Sequence, residues 1–224
     1  MEMYHSNPLT GKIMYELVEE ASKVLRFPTE KYDFDAENAI ENAKELESKL
    51  IECMEQNRGM GLSANQVGIN AQIFVMETAD KGSVGFFNPE IVRASVETDN
   101  MKEGCLSFPD MYVMIKRSKV IELKYQDSEG KEHSLTLEGM AARCVQHECD
   151  HLNGIIFLQR ASRLKIERAL KVRAKERTKR IEYEKRLAYA RAIQELQSEK
   201  DSSDDNDGRS EHNNRLLQDT PASA

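Results

Sequence analysis

Apolar positions recur along this chain with two periods, and the switches between them divide it into elements. Ile40, Ala43, Leu46, Leu50, Ile51 and Met54 fall three or four apart, which predicts an amphipathic helix within Asp35 to Asn57 with an acidic outer face. Gln72 to Met76 and Val84 to Phe87 are short apolar runs that predict buried strands. Lys119 to Tyr125 and His133 to Leu137 alternate apolar and polar on either side of Asp127-Ser128-Glu129-Gly130, which predicts a β-hairpin. Met140, Ala141, Cys144 and Val145 return to helical spacing, so a helix is expected from about 138 to 152. Gly154 would stop it, and Ile155-Ile156-Phe157 would follow as a short buried strand. Ile13 to Leu25 is compatible with helix until Phe27-Pro28-Thr29 breaks it. Between Leu164 and Leu196 there is neither proline nor glycine, so a long exposed helix is expected. The pattern therefore predicts an α+β domain with short strands around a central helix, followed by a long C-terminal helix.

Charge separates these parts further. The chain of 224 residues carries a net −7, but Arg163 to Arg191 holds twelve Lys or Arg against four Glu, a local +8. Residues 192 to 224 are at −5, which leaves −10 for residues 1 to 162. The reading is an acidic catalytic domain over 1–162, whose first 25 residues form an extension of no legible role, a basic helix over 163–197, and an acidic tail over 198–224. Asp201 to Gly208 would be the disordered centre of that tail. No run of eighteen apolar residues is present and the N-terminus lacks a basic-then-apolar leader, so a cytoplasmic or equivalent organellar or phage-host setting is expected. Cysteines 53, 105, 144 and 149 follow no disulfide framework, and no disulfide is expected. Nothing in the pattern calls for DNA or a second subunit, and a monomer is expected.

The central helix carries the candidate chemistry. His147 and His151 stand one turn apart and can share one metal ion, with Glu148 in reach of a water on that ion. A catalytic site of this kind needs three protein ligands and one open position. After Gly154 no histidine occurs until His212, so the third ligand is sought upstream, in Glu103-Gly104-Cys105-Leu106-Ser107, where a turn-prone cysteine can present a thiolate. A third stretch, Gly59-Met60-Gly61-Leu62-Ser63-Ala64-Asn65-Gln66, is glycine-spaced, allows close backbone approach, and ends on an amide that can donate to an oxyanion. His133 lies outside these stretches and is expected to face solvent.

These three stretches, in this order, resemble the peptide deformylase family, whose GxGLAAxQ, EGCLS and HExDHLxG blocks match Gly59–Gln66, Glu103–Ser107 and His147–Gly154. The similarity extends through Asn88-Pro89-Glu90 and Gly139 to Arg143 and covers about residues 45 to 165. One departure is Ser63, where the family usually has Ala, a small-for-small replacement expected to be tolerated. The resemblance implies mixed sheets enclosing the metal helix, and removal of the formyl group from N-formylmethionine at the start of nascent chains. Cys105, His147 and His151 would hold the ion, Fe2+ in many members and Zn2+ in some. Thiolate and imidazole chemistry equally admits Ni2+ or Co2+. Glu148 would act as general base and acid, and Gln66 and the Leu106 N–H as oxyanion donors. The substrate backbone would pair with the loop at Met60 and Gly61, and its methionine would sit among Met60, Met140 and Cys144. Cys149 would face the core. Bacterial members dock on the ribosome through a basic C-terminal helix in this position, which implies ribosomal RNA as a partner of Arg163 to Arg191. Two rivals remain: another HExxH metallopeptidase, and a non-catalytic ribosome-binding relative, disfavoured because Cys105, His147, His151, Glu148 and Gln66 are all present.

Overall fold

The structure, a computed structural model, describes residues 4–6, 13–35 and 42–214, with side chains at 15–35 and 42–197. Strands β1 (Tyr4–Ser6) and β2 (Ile13–Tyr15) form a small antiparallel ribbon. Helix α1 (Ala43–Gln56) is capped by the Asn42 side chain, which accepts from the Lys44 backbone N–H and satisfies one donor of the first turn. The upstream part of the expected helix, with Ile40, lies outside the described residues.

Strands β3 (Gly61–Ser63), β4 (Ile73–Thr78), β5 (Gly82–Ala94), β8 (Val120–Gln126) and β9 (Glu132–Glu138) form one antiparallel sheet in that order. The hairpin β6 (Thr98–Cys105) and β7 (Phe108–Ser118) stands apart from it. Helix α2 (Gly139–Leu152) follows β9 directly.

The period-2 geometry of β4 explains why its sequence is an unbroken apolar run. Ile73 and Val75 join Leu46, Leu50 and Met54 of α1, while Phe74 and Met76 join Val145 and Leu152 of α2. Strand β4 is thus buried on both faces, and α2 is held against one of them. A third cluster, Leu25, Phe108, Met111, Val113, Ile115 and Phe157, forms under the β6–β7 hairpin.

Three expectations are corrected. Ile13 to Leu25 is not helical: Tyr15 and Leu25 are buried in different clusters, and the segment is a strand followed by a 3-10 turn at Lys23–Arg26. Ile155 to Phe157 is not a strand. Its backbone donors are taken locally, Ile155 N–H by the Asp150 carbonyl and Ile156 N–H by the Gln159 side chain, and Phe157 opens a 3-10 turn against Phe108. Gly154 is required there, because its φ is 71° and a Cβ would lie 2.7 Å from the Phe27 backbone carbon. Finally, helix α3 (Arg163–Asn214) runs on through the polar stretch in which a disordered tail is expected. Polar composition excludes a buried face but not a helix, and no proline interrupts it. Residues 215–224 lie outside the described residues.

Backbone contacts divide the chain into residues 1–171 and 172–224. The first turns of α3 belong with the first of these units, through Ile166 and Ala169 in the Phe108–Phe157 cluster and Lys165, which donates to the Met114 carbonyl at 3.0 Å. All four cysteines are free.

Candidate metal centre

Two elements meet to make the site. The tip of the β6–β7 hairpin presents Cys105 and Leu106, and the buried face of α2 presents His147, Glu148 and His151. Ligand atoms of Cys105, His147 and His151 all lie within 4.8 Å of one another. Cys105 Sγ is 3.2 Å from His151 Nε2, and the two imidazoles are 5.0 Å apart between centroids. One thiolate and two imidazoles at these separations can hold a single divalent ion in three of four tetrahedral positions.

Behind the ligands lies a buried network of charge. Glu103 Oε2 is 3.2 Å from His147 Nδ1, so that nitrogen is engaged by a carboxylate and Nε2 is left to face the cluster. Glu103 also accepts from Arg117 Nε at 2.8 Å, Arg117 Nη2 at 2.9 Å and Arg143 Nη1 at 2.5 Å. Arg117 continues to Asp150 at 2.7 Å, which Arg160 also engages. Burial pushes the Glu103 carboxyl up, but hydrogen bonds from His147 and Arg117 and the Arg117 charge outweigh it and bring it down to about 2.

The two imidazoles sit in opposite electrostatic settings. Burial lowers the basicity of His147, yet the Cys105 sulfur and the Glu103 carboxylate more than reverse this and raise it to about 10. Burial and the neighbouring charge of His147 hold His151 well below the usual range, so its lone pair is available. Glu148 is pushed above the ordinary carboxylate range by burial, against the opposing pull of His147 and a hydrogen bond from Ser63. That direction suits a group that must exchange a proton near neutrality.

The glycine-spaced stretch closes the site from the other side. It contains a three-residue strand, β3, and a 3-10 turn at Ala64–Val67, where the sequence predicts only a loop. Gln66 accepts from the Ser63 N–H at 2.9 Å through Oε1, which turns Nε2 toward Ser107 Oγ at 3.1 Å and Cys105 Sγ at 3.6 Å. Gly61 passes so close to α2 that a Cβ would lie 2.7 Å from both Cys144 Sγ and Glu148 Oε1. A cleft of about 540 Å³ opens here, lined by Met60, Gly61, Leu106, Met140, Cys144, His147 and Glu148 among others. Met60 and Met140 are half-exposed at it.

The other candidates lie outside the ligand cluster. Burial raises the Cys144 thiol well above its usual range, and it serves as lining, with Sγ 3.7 Å from the Met60 carbonyl. Cys149 packs in the α2 core cluster, and burial pushes it up to about 12. His133 is only partly exposed, stacked on Tyr125 and 2.6 Å from Asp127, far from this chemistry. Sequence reasoning missed Arg117, Arg143 and Asp150 as supports of the site. Arg143 and Asp150 lie inside stretches already singled out, and Arg117 shares the inward parity of Met111, Val113 and Ile115 in β7. A charge on the buried face of a strand is the signal that could have found it.

A family model, "Polypeptide deformylase", matches residues 14–167. The chain belongs to the polypeptide deformylase family. The peptide deformylase of Thermotoga maritima is 48% identical over 122 residues, which are 54% of this chain and 74% of that protein. A crystal structure of peptide deformylase from Thermotoga maritima superposes with a TM-score of 0.61 at 42% identity, covering 66% of this chain and 98% of the other. One from Synechococcus elongatus, in complex with actinonin, gives 0.63 at 34% identity, covering 71% and 85%. The protein is a peptide deformylase: it removes the formyl group from N-formylmethionine at the N-terminus of polypeptides and depends on a metal. No helix among the described residues is long and apolar enough to cross a membrane.

Proposed function

We propose that the residues gathered at the tip of β6–β7 and on α2 carry out the hydrolysis, with Cys105, His147 and His151 holding the ion. The observation that carries this reading is the convergence of their ligand atoms within 4.8 Å, beside the buried carboxylate of Glu148. When bound, the ion supplies Lewis-acid activation of a water and of the formyl carbonyl. Glu148 takes the proton of the attacking water and returns it to the amine as the carbon–nitrogen bond breaks and formate departs. Gln66 Nε2 and the Leu106 N–H donate to the oxygen that becomes negative. Met60, Gly61, Met140 and Cys144 receive the methionine and the first backbone unit of the substrate. We assign Fe2+ as the resident ion, with Zn2+, Ni2+ and Co2+ compatible with the same donors.

The wider setting is part of the same proposal. A monomer in the cytoplasm, or its organellar or phage-host equivalent, would act on formylated nascent chains while Arg163 to Arg191 contacts ribosomal RNA through phosphates. That stretch is at +8 on an otherwise acidic chain, which favours RNA along it and repels RNA elsewhere. Metal analysis and assay of anaerobically purified protein on formyl-Met-Ala test the core of the reading. One equivalent of iron and formate release are expected; hydrolysis of an unformylated peptide instead would favour a general metallopeptidase.

A further inference from the structure

The hydroxyl of Ser63 is placed where a small, silent residue is expected. Ser63 is fully buried, and its Oγ donates to Glu148 Oε2 at 2.5 Å and lies 3.1 Å from the Glu148 carbonyl. The Ser63 backbone N–H in turn donates to Gln66 Oε1 at 2.9 Å. One residue therefore touches both groups to which the reaction assigns a role. The other carboxylate oxygen of Glu148, Oε1, lies against the Gly61 Cα, on the side where a Cβ would come within 2.7 Å of it. Glu148 is thus bracketed, with Oε2 anchored by Ser63 and Oε1 beside Gly61, and both Gly61 and Glu148 line the cleft.

We propose that Ser63 is a positioning residue for the deformylation reaction: its hydroxyl pins Glu148 Oε2 so that Oε1 is the oxygen that takes and returns the proton. The inference rests on the reading of Glu148 as the proton carrier. Without the hydroxyl, the carboxylate is free to rotate about its last torsion, which is broad for a glutamate, and the productive orientation is populated only part of the time. The backbone bond to Gln66 survives that loss, so the oxyanion donor stays in place.

The test is Ser63→Ala in the full, metal-loaded chain, alone and combined with Glu148→Ala. Alanine is the usual residue of the family here, so the variant is expected to fold and bind metal normally. Alone, it should lower kcat on a short formyl-methionyl peptide about tenfold with KM unchanged, the scale of one hydrogen bond to a charged group. In the Glu148→Ala background, it should change the residual rate by less than about twofold, because no carboxylate remains to be held. Wild-type kcat in Ser63→Ala overturns the proposal, and so does an equal loss in both backgrounds or a loss that follows lowered metal content. If Glu148→Ala itself keeps near wild-type activity, the reading of Glu148 fails, independently of what Ser63→Ala does.

Discussion

Charge is used in opposite ways behind α2 and along α3. Glu103 and Arg117 are 6% and 4% exposed at the side chain, locked into one arrangement that ends on His147. Arg163 and Glu167, paired at helical spacing, are 93% and 50% exposed, and Lys179 and Glu176 are about as open. The first set is costly to desolvate and worth having only when complete, since removing one member strands the others without water. The second set is solvated in any state and leaves the fold almost unaffected. The same residue types therefore carry structure in one place and only an external field in the other.

The sharpest way to test this contrast is within the buried set. Glu148→Ala removes the proposed proton carrier while leaving the three candidate ligands, and kcat is expected to fall by about 10²- to 10⁴-fold with metal content unchanged. Near wild-type turnover, measured beside metal analysis, would remove Glu148 from its role. Arg117→Met comes next. It leaves Glu103 and Asp150 buried with fewer partners, at an expected loss of about 3–5 kcal/mol in denaturant unfolding, together with weaker metal retention because Glu103 no longer fixes His147. A loss below about 1 kcal/mol would place this pair with the surface ones and erase the distinction. Gly61→Ala is smaller. The new methyl meets Cys144 and the Glu148 carboxylate at their flexible ends, so the fold should survive while kcat drops about ten- to a hundredfold through misplacement of Glu148. An unchanged kcat would mean that the carboxylate does not depend on that contact.

How far the sequence revealed these features follows from how local each one is. The His147–His151 pair lies on one helical turn, and α2 appears within a residue or so of its expected bounds. The β8–β9 hairpin was equally legible, because its alternation and its turn are both local signals. The β6–β7 hairpin was not, since β6 reads Thr-Asp-Asn-Met-Lys-Glu-Gly-Cys and buries little apolar surface of its own. Cys105 was found as a candidate from its turn-prone setting, yet the reason it meets α2 is this unpredicted hairpin. Ser63 looked like an interchangeable small residue, because its partner Glu148 is 85 positions away and no local pattern encodes such a bond. The Arg117 bridges, to partners 14 and 33 positions away, escaped for the same reason.

The smallest expected effect on the catalytic part, and the one that sets the contrast most cleanly, comes from α3. Leu164 to Lys171 must be left intact, because Ile166 and Ala169 pack into the Phe108–Phe157 cluster and Lys165 bonds the Met114 carbonyl. Beyond it, Lys175, Lys179, Arg180 and Lys185 are exposed, and reversing all four to glutamate changes the local field by eight units without touching the core. Surface substitutions of this kind leave stability nearly unchanged, so the melting temperature and kcat/KM on a short formylated peptide should match the parent. Binding to ribosomes should respond quite differently. If phosphate contacts carry it, co-sedimentation of the parent weakens steeply as salt is raised, and the reversed variant fails to co-sediment even at low salt. Undiminished co-sedimentation, or binding that ignores salt, would mean that the +8 stretch is a solvated extension and that its charge does no more for this protein than the Arg163–Glu167 pair does for the helix.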